Sequence, residues 1–192
     1  MAQHPFLTEK VGYFFRILDL NGNGFLQGDD FEEMAAKIIK IMKLEEGSYR
    51  ERKVKEKALK LFQTLAKDMN PFSYNQITEQ EWINFFLSYV INDEERLNDY
   101  KELIFNFMFD FFDQNRDGFI NKAEYQDFFK IFGLDQSFVD DAFDKLDHSK
   151  VQKVSRYDLM AALEDYFTST EEEVKGNWVF GNWQSVPHAE NH

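Results

Sequence analysis

Apolar side chains recur every three or four residues along most of this 192-residue chain, the spacing that predicts amphipathic α-helices. The clearest runs are Phe14-Phe15-Leu18, Phe31-Met34-Ile38-Met42, Leu59-Phe62-Leu65 and Phe105-Met108-Phe112. From such runs we predict helices near residues 8–18, 28–43, 48–68, 79–91, 94–112, 122–132, 136–146 and 155–167. No run of alternating residues predicts a strand longer than a residue or two between helices. The pattern therefore predicts an all-α fold.

The polar stretches between these helices carry a specific pattern. Asp113–Glu124 reads Asp-Gln-Asn-Arg-Asp-Gly-Phe-Ile-Asn-Lys-Ala-Glu, with oxygen-bearing side chains at positions 1, 3, 5, 9 and 12. Gly118 stands at position 6, where the backbone must become left-handed, and Ile120 stands at position 8. An ordinary surface turn rich in Asp and Asn does not demand all of these residues together. The combination is the signature of an EF-hand calcium-binding loop.

Each ligand position of this loop has a physical reason. Calcium is a hard cation that takes about six to eight oxygen ligands. Asp113, Asn115 and Asp117 reach the ion from alternate positions of a tight coil. Phe119 supplies its backbone carbonyl, and Glu124, one turn into the next helix, closes the sphere with both carboxylate oxygens. We predict these five residues as the ligands of the third loop.

A second stretch, Asp19–Asp30, follows the same rule with one change. Its predicted ligands are Asp19, Asn21, Asn23, the backbone carbonyl of Phe25, and Asp30. The final aspartate is one methylene shorter than the usual glutamate, so it reaches the ion less readily with both oxygens. Six-coordination of this kind lowers calcium affinity and suits Mg²⁺, which prefers a small octahedron. We therefore expect two divalent sites, with Mg²⁺ competing especially at this first loop.

EF-hand loops come in pairs, so each of these loops should have a neighbour. The window Asn70–Glu81 ends in the required glutamate, but Phe72 and Tyr74 stand where ligand oxygens belong. We expect this second loop to be a structural partner that has lost its ion. Its Thr78 and Glu81 still make sense as a helix N-cap.

The window Asp147–Asp158 departs from the pattern differently. Val151 replaces the ligand at position 5, and Gln152 replaces the glycine. Positive charge crowds the would-be site and opposes cation binding at short range. The basic residues concerned are Lys150, Lys153 and Arg156. We expect this fourth loop also to lack an ion, with Ser155 and Asp158 capping the helix that follows.

Loop pairing sets the predicted organisation. Residues 1–92 would form an N-terminal EF-hand pair and residues 93–167 a C-terminal pair, joined at the polar segment Ile91–Arg96. The two pairs would pack into one compact globule, and residues 168–192 would form a tail. The large rings of this tail are Trp178, Phe180 and Trp183. We expect them to plug the core, since exposed together they would form an apolar patch needing a partner.

Composition and charge narrow the function. The formal charge of −13 excludes sequence-independent nucleic-acid binding, which depends on Lys and Arg, and suits a protein that gathers cations. No apolar run approaches the ~20 residues of a membrane-spanning helix, and the N-terminus lacks signal-peptide and myristoylation motifs. Without a phosphate loop, cysteine or His pair at metal-ligand spacing, we expect no enzyme activity. We expect a cytoplasmic monomer without stable membrane insertion.

Several motifs resemble a known family. Asp30 ends the first loop, the phrase Phe128–Asp135 follows the third, and Gly176–Gly181 contains Asn-x-x-Phe-Gly. Over nearly its whole length the chain resembles the invertebrate sarcoplasmic calcium-binding proteins and the related calexcitins. The resemblance implies a compact Ca²⁺/Mg²⁺ buffer whose C-terminal segment enters the core, with signalling roles among calexcitins. Family members usually bind three ions, and the second loop, often functional in calexcitins, is degenerate here.

Three functions are compatible with these features. The first is a calcium buffer or calcium-signal modulator. The second is a calmodulin-like sensor of target proteins, which would expose a Met-rich groove; the 6 Met of this Phe-rich chain are scattered, which favours the buffer. The third is a non-catalytic carrier of a hydrophobic ligand such as a luciferin, because light-emitting photoproteins share the implied fold. No His lies on a predicted core-facing helix surface, so light-emitting chemistry itself is not expected.

One predicted helix contrasts with the acidic chain. The segment Tyr49–Lys60 is basic and could dock an acidic membrane surface or an acidic stretch of a partner. The simpler interpretation is a solvated face on which Glu51 pairs with Lys55, and Glu56 with Lys60, four residues apart.

Overall fold

The computed structural model describes residues 4–70 and 75–184. The described helices are α1 (Pro5–Leu18), α2 (Gly28–Ile41), α3 (Tyr49–Met69), α4 (Glu79–Phe85), α5 (Glu94–Phe112), α6 (Lys122–Ile131), α7 (Val139–Leu146) and α8 (Arg156–Thr168). The described strands are β1 (Phe25–Leu26), β2 (Ile77–Thr78), β3 (Phe119–Asn121) and β4 (Lys153–Ser155). The predicted all-α architecture is confirmed, with strands only between helices.

Local polar residues explain where several helices begin. Thr78, Asn121 and Ser155 each accept a hydrogen bond from the backbone N–H three residues later, and the acid there bonds back. This reciprocal pair satisfies N–H groups that a helix start otherwise leaves unpaired. Helix α1 begins at Pro5, earlier than the predicted residue 8, because proline is preorganised for the first helical turn.

Two predicted helices differ from the structure near their ends. The helix predicted near 79–91 is α-helical only to Phe85, and Phe86–Val90 forms a turn of π-helix. The helix predicted near 136–146 opens with a 3₁₀ turn, Gln136–Phe138, ahead of α7. Both Phe86 and Val90 are fully buried. The π turn therefore places two large apolar side chains in the core, a tertiary requirement that local periodicity does not encode.

The short strands join the loops in pairs. Strand β1 pairs antiparallel with β2, so that Leu26 faces Ile77 across the ladder. Strand β3 pairs with β4 in the same manner, with Ile120 opposite Val154. Loop one is therefore tied to loop two, and loop three to loop four, by backbone hydrogen bonds.

A core of aromatic rings runs through both predicted halves. Phe14 of α1 stacks on Phe180 of the tail at a centroid distance of 4.3 Å. Phe86 stacks on Phe167 of α8 at 5.2 Å. The indole N–H of Trp82 donates to the carbonyl of Val11 at 3.0 Å. These contacts hold α1, α4 and α8 around one shared core, and the boundaries of the predicted EF-hand pairs stay a prediction.

The tail returns to this core through a 3₁₀ turn at Lys175–Trp178 that packs on α8. Phe180 and Trp183 are buried, and Trp178 is partly buried beneath the ammonium of Lys145, 3.3 Å from the ring centroid. A Cβ added at Gly176 would lie 2.4 Å from Cβ of Asp165. A larger residue at position 176 would push the tail off α8.

A buried lysine fastens the tail to the first helix. The Nζ of Lys10 donates to Oδ1 of Asn177 at 2.7 Å and to the carbonyl of Ser169 at 3.0 Å. The amide of Asn177 donates in turn to the carbonyls of Glu171 and Glu172. Burial lowers the pKa of Lys10 to about 8, and the nearby charge of Asp165 opposes that shift.

Candidate metal sites

The third loop holds its predicted ligand oxygens with its own backbone. The two carboxylate oxygens of Asp113 accept hydrogen bonds from the N–H groups of Asp117 and Gly118, at 3.1 and 3.0 Å. The side-chain oxygen of Asn115 accepts from Asp117 N–H at 2.8 Å, and that of Asp117 accepts from Phe119 N–H at 3.0 Å. The loop thus winds around its side-chain oxygens, as an EF-hand loop must.

Glu124 closes this loop from the first turn of α6. Its Oε1 accepts from the N–H groups of Gln114 and Asn115, at 3.0 and 3.3 Å, and its Oε2 accepts from Asn121 N–H at 3.0 Å. Gly118 has φ +79°, and a Cβ there would meet nothing within 4 Å. The requirement for glycine is therefore one of backbone conformation and not of space.

The first loop repeats this arrangement. The carboxylate of Asp19 accepts from the N–H groups of Asn23 and Gly24, at 3.2 and 2.9 Å. At the far end, the carboxylate of Asp30 accepts from the N–H groups of Asn21 and Gln27, at 3.3 and 2.9 Å. The first and last ligand positions therefore fold over the loop just as Asp113 and Glu124 do in the third.

The two loops differ in their electrostatic surroundings. Burial raises the pKa of Asp30 to about 6, against hydrogen bonds from Gln27 and Asn21 that lower it, and with help from the charges of Asp19 and Asp29. Asp117 instead forms an ion pair with Lys153 of the fourth loop at 2.6 Å. A side-chain hydrogen bond from Lys153 is the main reason that the pKa of Asp117 lies below its usual value.

The donor set of both loops fits a hard divalent cation. Each predicted ligand is an oxygen, and carboxylate, amide and backbone carbonyl oxygens are the groups that Ca²⁺ and Mg²⁺ prefer. Within residues 4–70 and 75–184, no three carboxylate, imidazole or thiol groups converge on one point. The carboxylates of the loops are turned toward backbone N–H groups instead, and the assignment of ligands stays a prediction.

In the second loop, the side chain at position 1 bonds directly to the acid at position 12. The amide Nδ2 of Asn70, at position 1, donates to Oε1 of Glu81 at 3.0 Å and to the carbonyl of Gln76 at 3.4 Å. Thr78 caps α4 with Glu81. A donor therefore stands where a cation would need an acceptor. The predicted substitutions Phe72 and Tyr74 lie outside the described residues.

The fourth loop keeps the coil of an EF-hand, with an aspartate at its first position. Asp147 accepts from the N–H groups of Val151 and Gln152, at 3.1 and 2.8 Å. Gln152 has φ +61°, so it adopts the left-handed conformation that glycine takes elsewhere. His148 lies 3.5 Å from the carboxylate of Asp158. The hydrophobic position Val154 is buried and pairs with Ile120, which gives this loop a structural role beside the third.

Two polar contacts connect residues far apart in the chain. Lys153 of β4 contacts Asp117, 36 residues earlier in the chain, and Lys10 of α1 contacts Asn177 of the tail, 167 residues later. The basic residues of the fourth loop predict positive charge near the third loop. They do not predict which carboxylate of the third loop forms the ion pair. Nothing in the sequence around Lys10 distinguishes it from a surface lysine.

Comparison with known proteins shows what this chain is similar to. No family model matches the chain. Calexcitin-1 of Caenorhabditis elegans is 28% identical over 92% of this chain and 87% of its own length. Calerythrin of Saccharopolyspora erythraea is 26% identical over 83% and 90%. The chain is similar over most of its length to EF-hand proteins of the calexcitin and sarcoplasmic calcium-binding type. The luciferin-binding protein of Renilla reniformis is 25% identical to this EF-hand protein over 94% and 96%.

Solved structures show the same fold. The coelenterazine-binding protein of Renilla muelleri, in its calcium-loaded apo form, matches this EF-hand protein with a TM-score of 0.76 and 21% identity. That match covers 93% of this chain and 96% of the other. The sarcoplasmic calcium-binding protein of amphioxus matches with a TM-score of 0.66 and 17% identity, over 94% and 98%. Among the described residues, no helix has the length and apolar character needed to cross a bilayer.

Proposed function

We propose that this protein binds divalent cations through two of its four EF-hands. The ligands would be Asp19, Asn21, Asn23, the carbonyl of Phe25 and Asp30 in loop one. In loop three they would be Asp113, Asn115, Asp117, the carbonyl of Phe119 and Glu124. The observation that carries the proposal is the matching array of backbone hydrogen bonds on the first and last ligand side chains of both loops.

The two sites would differ in selectivity. Glu124 is long enough to offer both oxygens and would favour Ca²⁺, whereas Asp30 would favour six-coordination and admit Mg²⁺. Burial that raises the pKa of Asp30 adds to the difference, because a carboxylate must be ionised to hold the ion. Loop three would therefore respond to calcium against a background of magnesium.

Such a protein would act as a cytoplasmic calcium buffer or signal modulator without enzyme activity. The shared aromatic core and the buried tail support a buffer over a sensor. An EF-hand sensor must open its helix pairs to expose an apolar groove, and here Phe14, Phe86 and Phe180 link the pairs through one core.

Calorimetric titration with Ca²⁺, with and without about millimolar Mg²⁺, tests the assignment. We expect two sites, and Glu124→Gln should remove the calcium-selective one while leaving the other in place. Glu32→Gln, an exposed acid of α2 outside the loops, serves as the matched control. Four comparable sites, or selective binding that survives Glu124→Gln, would refute the assignment.

A carrier of a hydrophobic ligand is the second candidate, favoured by the luciferin-binding relative and by an apolar cavity among the core rings. The cavity is lined by rings that include Phe14, Trp82, Phe86, Phe128 and Phe180. Its volume is only about 20 Å³, room for roughly one water molecule. A luciferin would fit only if several of these rings moved aside. The small volume therefore argues against a carrier role.

Titration with coelenterazine, followed by quenching of tryptophan fluorescence, distinguishes carrier from buffer. We expect no saturable quenching, because the space is already filled by the protein's own side chains. Saturable binding of one molecule per chain, lost in the variant Gly176→Trp, whose larger side chain displaces the tail, would establish the carrier instead.

A further inference from the structure

A groove lies between helices α3 and α5 on the surface of the protein. Helix α3 packs along α2, whereas α5 packs on α8, so the space between α3 and α5 stays open. Two adjoining depressions of about 540 and 220 Å³ occupy it, and both are bordered by Lys57 and Asp110. We call this feature the α3–α5 groove.

One wall of the groove is basic. Its four cationic side chains are Arg50, Lys53, Lys57 and Lys60. They follow each other at intervals of three, four and three residues, so they lie along one face of α3 over about 15 Å. In a chain with a net charge of −13, such a row creates a local field of the opposite sign.

The floor of the groove is apolar. Leu103, Phe107 and Phe111 of α5 recur every four residues and therefore form one stripe, with Leu61 of α3 beside them. Leu61, Leu103 and Phe107 are only partly buried, whereas Phe111 at the end of the stripe is buried. A stripe of this length and spacing matches the apolar face of another helix.

The basic wall is only partly neutralised. Lys53 pairs with Glu56 at 2.7 Å, in place of the Glu56–Lys60 pair expected from the sequence, because Glu56 reaches back one turn. Lys57 pairs with Asp110 at 2.5 Å. Both pairs are exposed, so exchanging them for other carboxylates costs little. Arg50 and Lys60 form no ion pair within the part of the chain that the structure describes.

We propose that the α3–α5 groove binds an acidic amphipathic helix of a partner protein. The partner's apolar side would lie on the stripe of α5, and acidic residues every three or four positions would face the four cations of α3. The row of charges argues against a lipid-like molecule with one anionic head group, because such a ligand would need one cation and not four. The concave shape decides against a flat lipid surface. Asp113, the first predicted ligand of the third loop, also borders the larger depression, so the groove adjoins that candidate metal site.

The probe is a synthetic helical peptide of about 18 residues, long enough to be partly helical in water. It carries leucines at helical spacing on one side and glutamates on the flank beside them. A scrambled peptide of the same composition tests whether the helical pattern matters. Vesicles of phosphatidylcholine with about 30% phosphatidylserine represent the anionic membrane surface. Binding of the labelled peptides to the full-length protein is followed by fluorescence anisotropy.

Arg50→Glu/Lys60→Glu is the decisive variant, because neither residue supports a folded-state ion pair. We expect its affinity for the patterned peptide to fall about tenfold or more. Lys40→Glu/Lys67→Glu, on exposed residues outside the groove, changes the net charge by the same amount and should stay within about twofold of wild type. Melting curves establish that both variants fold. If the reversal variant is unstable, Arg50→Ala/Lys60→Ala replaces it.

Phe107→Ala tests the apolar floor separately. It should lower the affinity for the patterned peptide without changing the salt dependence of binding. The proposal is overturned if the wild-type protein does not bind the patterned peptide at all. It is also overturned if the scrambled peptide binds equally well, or if both charge-reversed variants lose the same affinity. Binding to the vesicles without binding to the peptide would assign the groove to a membrane surface instead.

Discussion

Asp117 stands at ligand position 5 of the third loop, but its carboxylate is already paired with a lysine. The Nζ of Lys153, from β4, lies 2.6 Å from Oδ2, while Oδ1 accepts from the N–H of Phe119. A cation bound in the loop would share this carboxylate with Lys153, and the positive charge of the lysine would repel it. We therefore expect Lys153 of the fourth loop to lower the calcium affinity of the third loop.

We expect Lys153→Met to raise the calcium affinity of the third loop by about two- to fivefold, because an exposed charge contributes modestly. Lys150→Met is the matched control, since the ammonium of Lys150 bonds the carbonyl of Asp144 and not a ligand carboxylate. Calcium titration of both variants provides the measurement. Equal affinities in the wild-type protein and Lys153→Met would show that Lys153 has no effect on calcium binding by the third loop.

We expect Lys10 to make the stability of the protein depend on pH. Burial lowers its pKa from an ordinary 10.5 to about 8 in the folded protein, so the unfolded chain binds this proton more tightly. Stability must then rise as the pH increases from about 8 to about 10.5, by on the order of 3 kcal/mol. Below pH 8 both states carry the proton and this contribution is constant.

Denaturant unfolding of the metal-free protein across that pH range measures the effect, and Lys10→Met isolates it from other titrating groups. The variant should lack this rise with pH. It should also leave Oδ1 of Asn177 without its ammonium donor, which costs roughly 1–3 kcal/mol at lower pH. Parallel pH profiles for the wild-type protein and Lys10→Met would contradict the assignment of the shift to this residue.

At the scale of helices and loops, the sequence predicts what depends on neighbours in the chain. Helix interiors follow from apolar spacing, and the caps at Thr78 and Ser155 follow from a polar residue and an acid three positions apart. The π turn at Phe86–Val90 does not, because it responds to packing in the core. For the same reason the contacts Lys10–Asn177 and Lys153–Asp117 could not be predicted, since each joins segments that only the fold brings together.

The tail is an element whose stabilising role can be measured. Truncation before Lys175 removes the buried rings of Phe180 and Trp183, each worth roughly 1.5–3 kcal/mol, and takes Asn177 away from Lys10. We expect a clearly lower Tm, stronger binding of a hydrophobic dye even with calcium, and a change in the emission of Trp82. Removal of residues 185–192 alone is the matched control and should leave all three unchanged.

An unchanged Tm and unchanged Trp82 emission in the shorter chain would show that the tail does not seal the core. The stacking of Phe14 on Phe180 would then contribute little to the stability of the core. In that case a partner-binding role for the tail rings would become the better interpretation.

At the scale of the whole molecule, the shared core limits how far the EF-hand pairs can move. Moving α1 away from the tail would separate Phe14 from Phe180, and moving the π turn away from α8 would separate Phe86 from Phe167, and each separation would expose large aromatic surfaces. The α3–α5 groove, by contrast, is present without any opening. Peptide binding in that groove therefore does not make the protein a calmodulin-like sensor, and calcium-dependent exposure of new surface is the property that separates the two functions.

We expect calcium to stabilise the protein without exposing apolar surface. Binding to the folded state alone adds about 4 kcal/mol when free calcium is a thousand times the dissociation constant, so Tm should rise with calcium concentration. Fluorescence of a hydrophobic dye should stay level or fall as calcium is added to the magnesium-loaded protein. The variant Asp19→Asn/Glu124→Gln, which changes one ligand in each predicted site, should show a much smaller rise in Tm. A several-fold increase in dye fluorescence on adding calcium would mean that the aromatic core opens, and the sensor would then displace the buffer as the function of this chain.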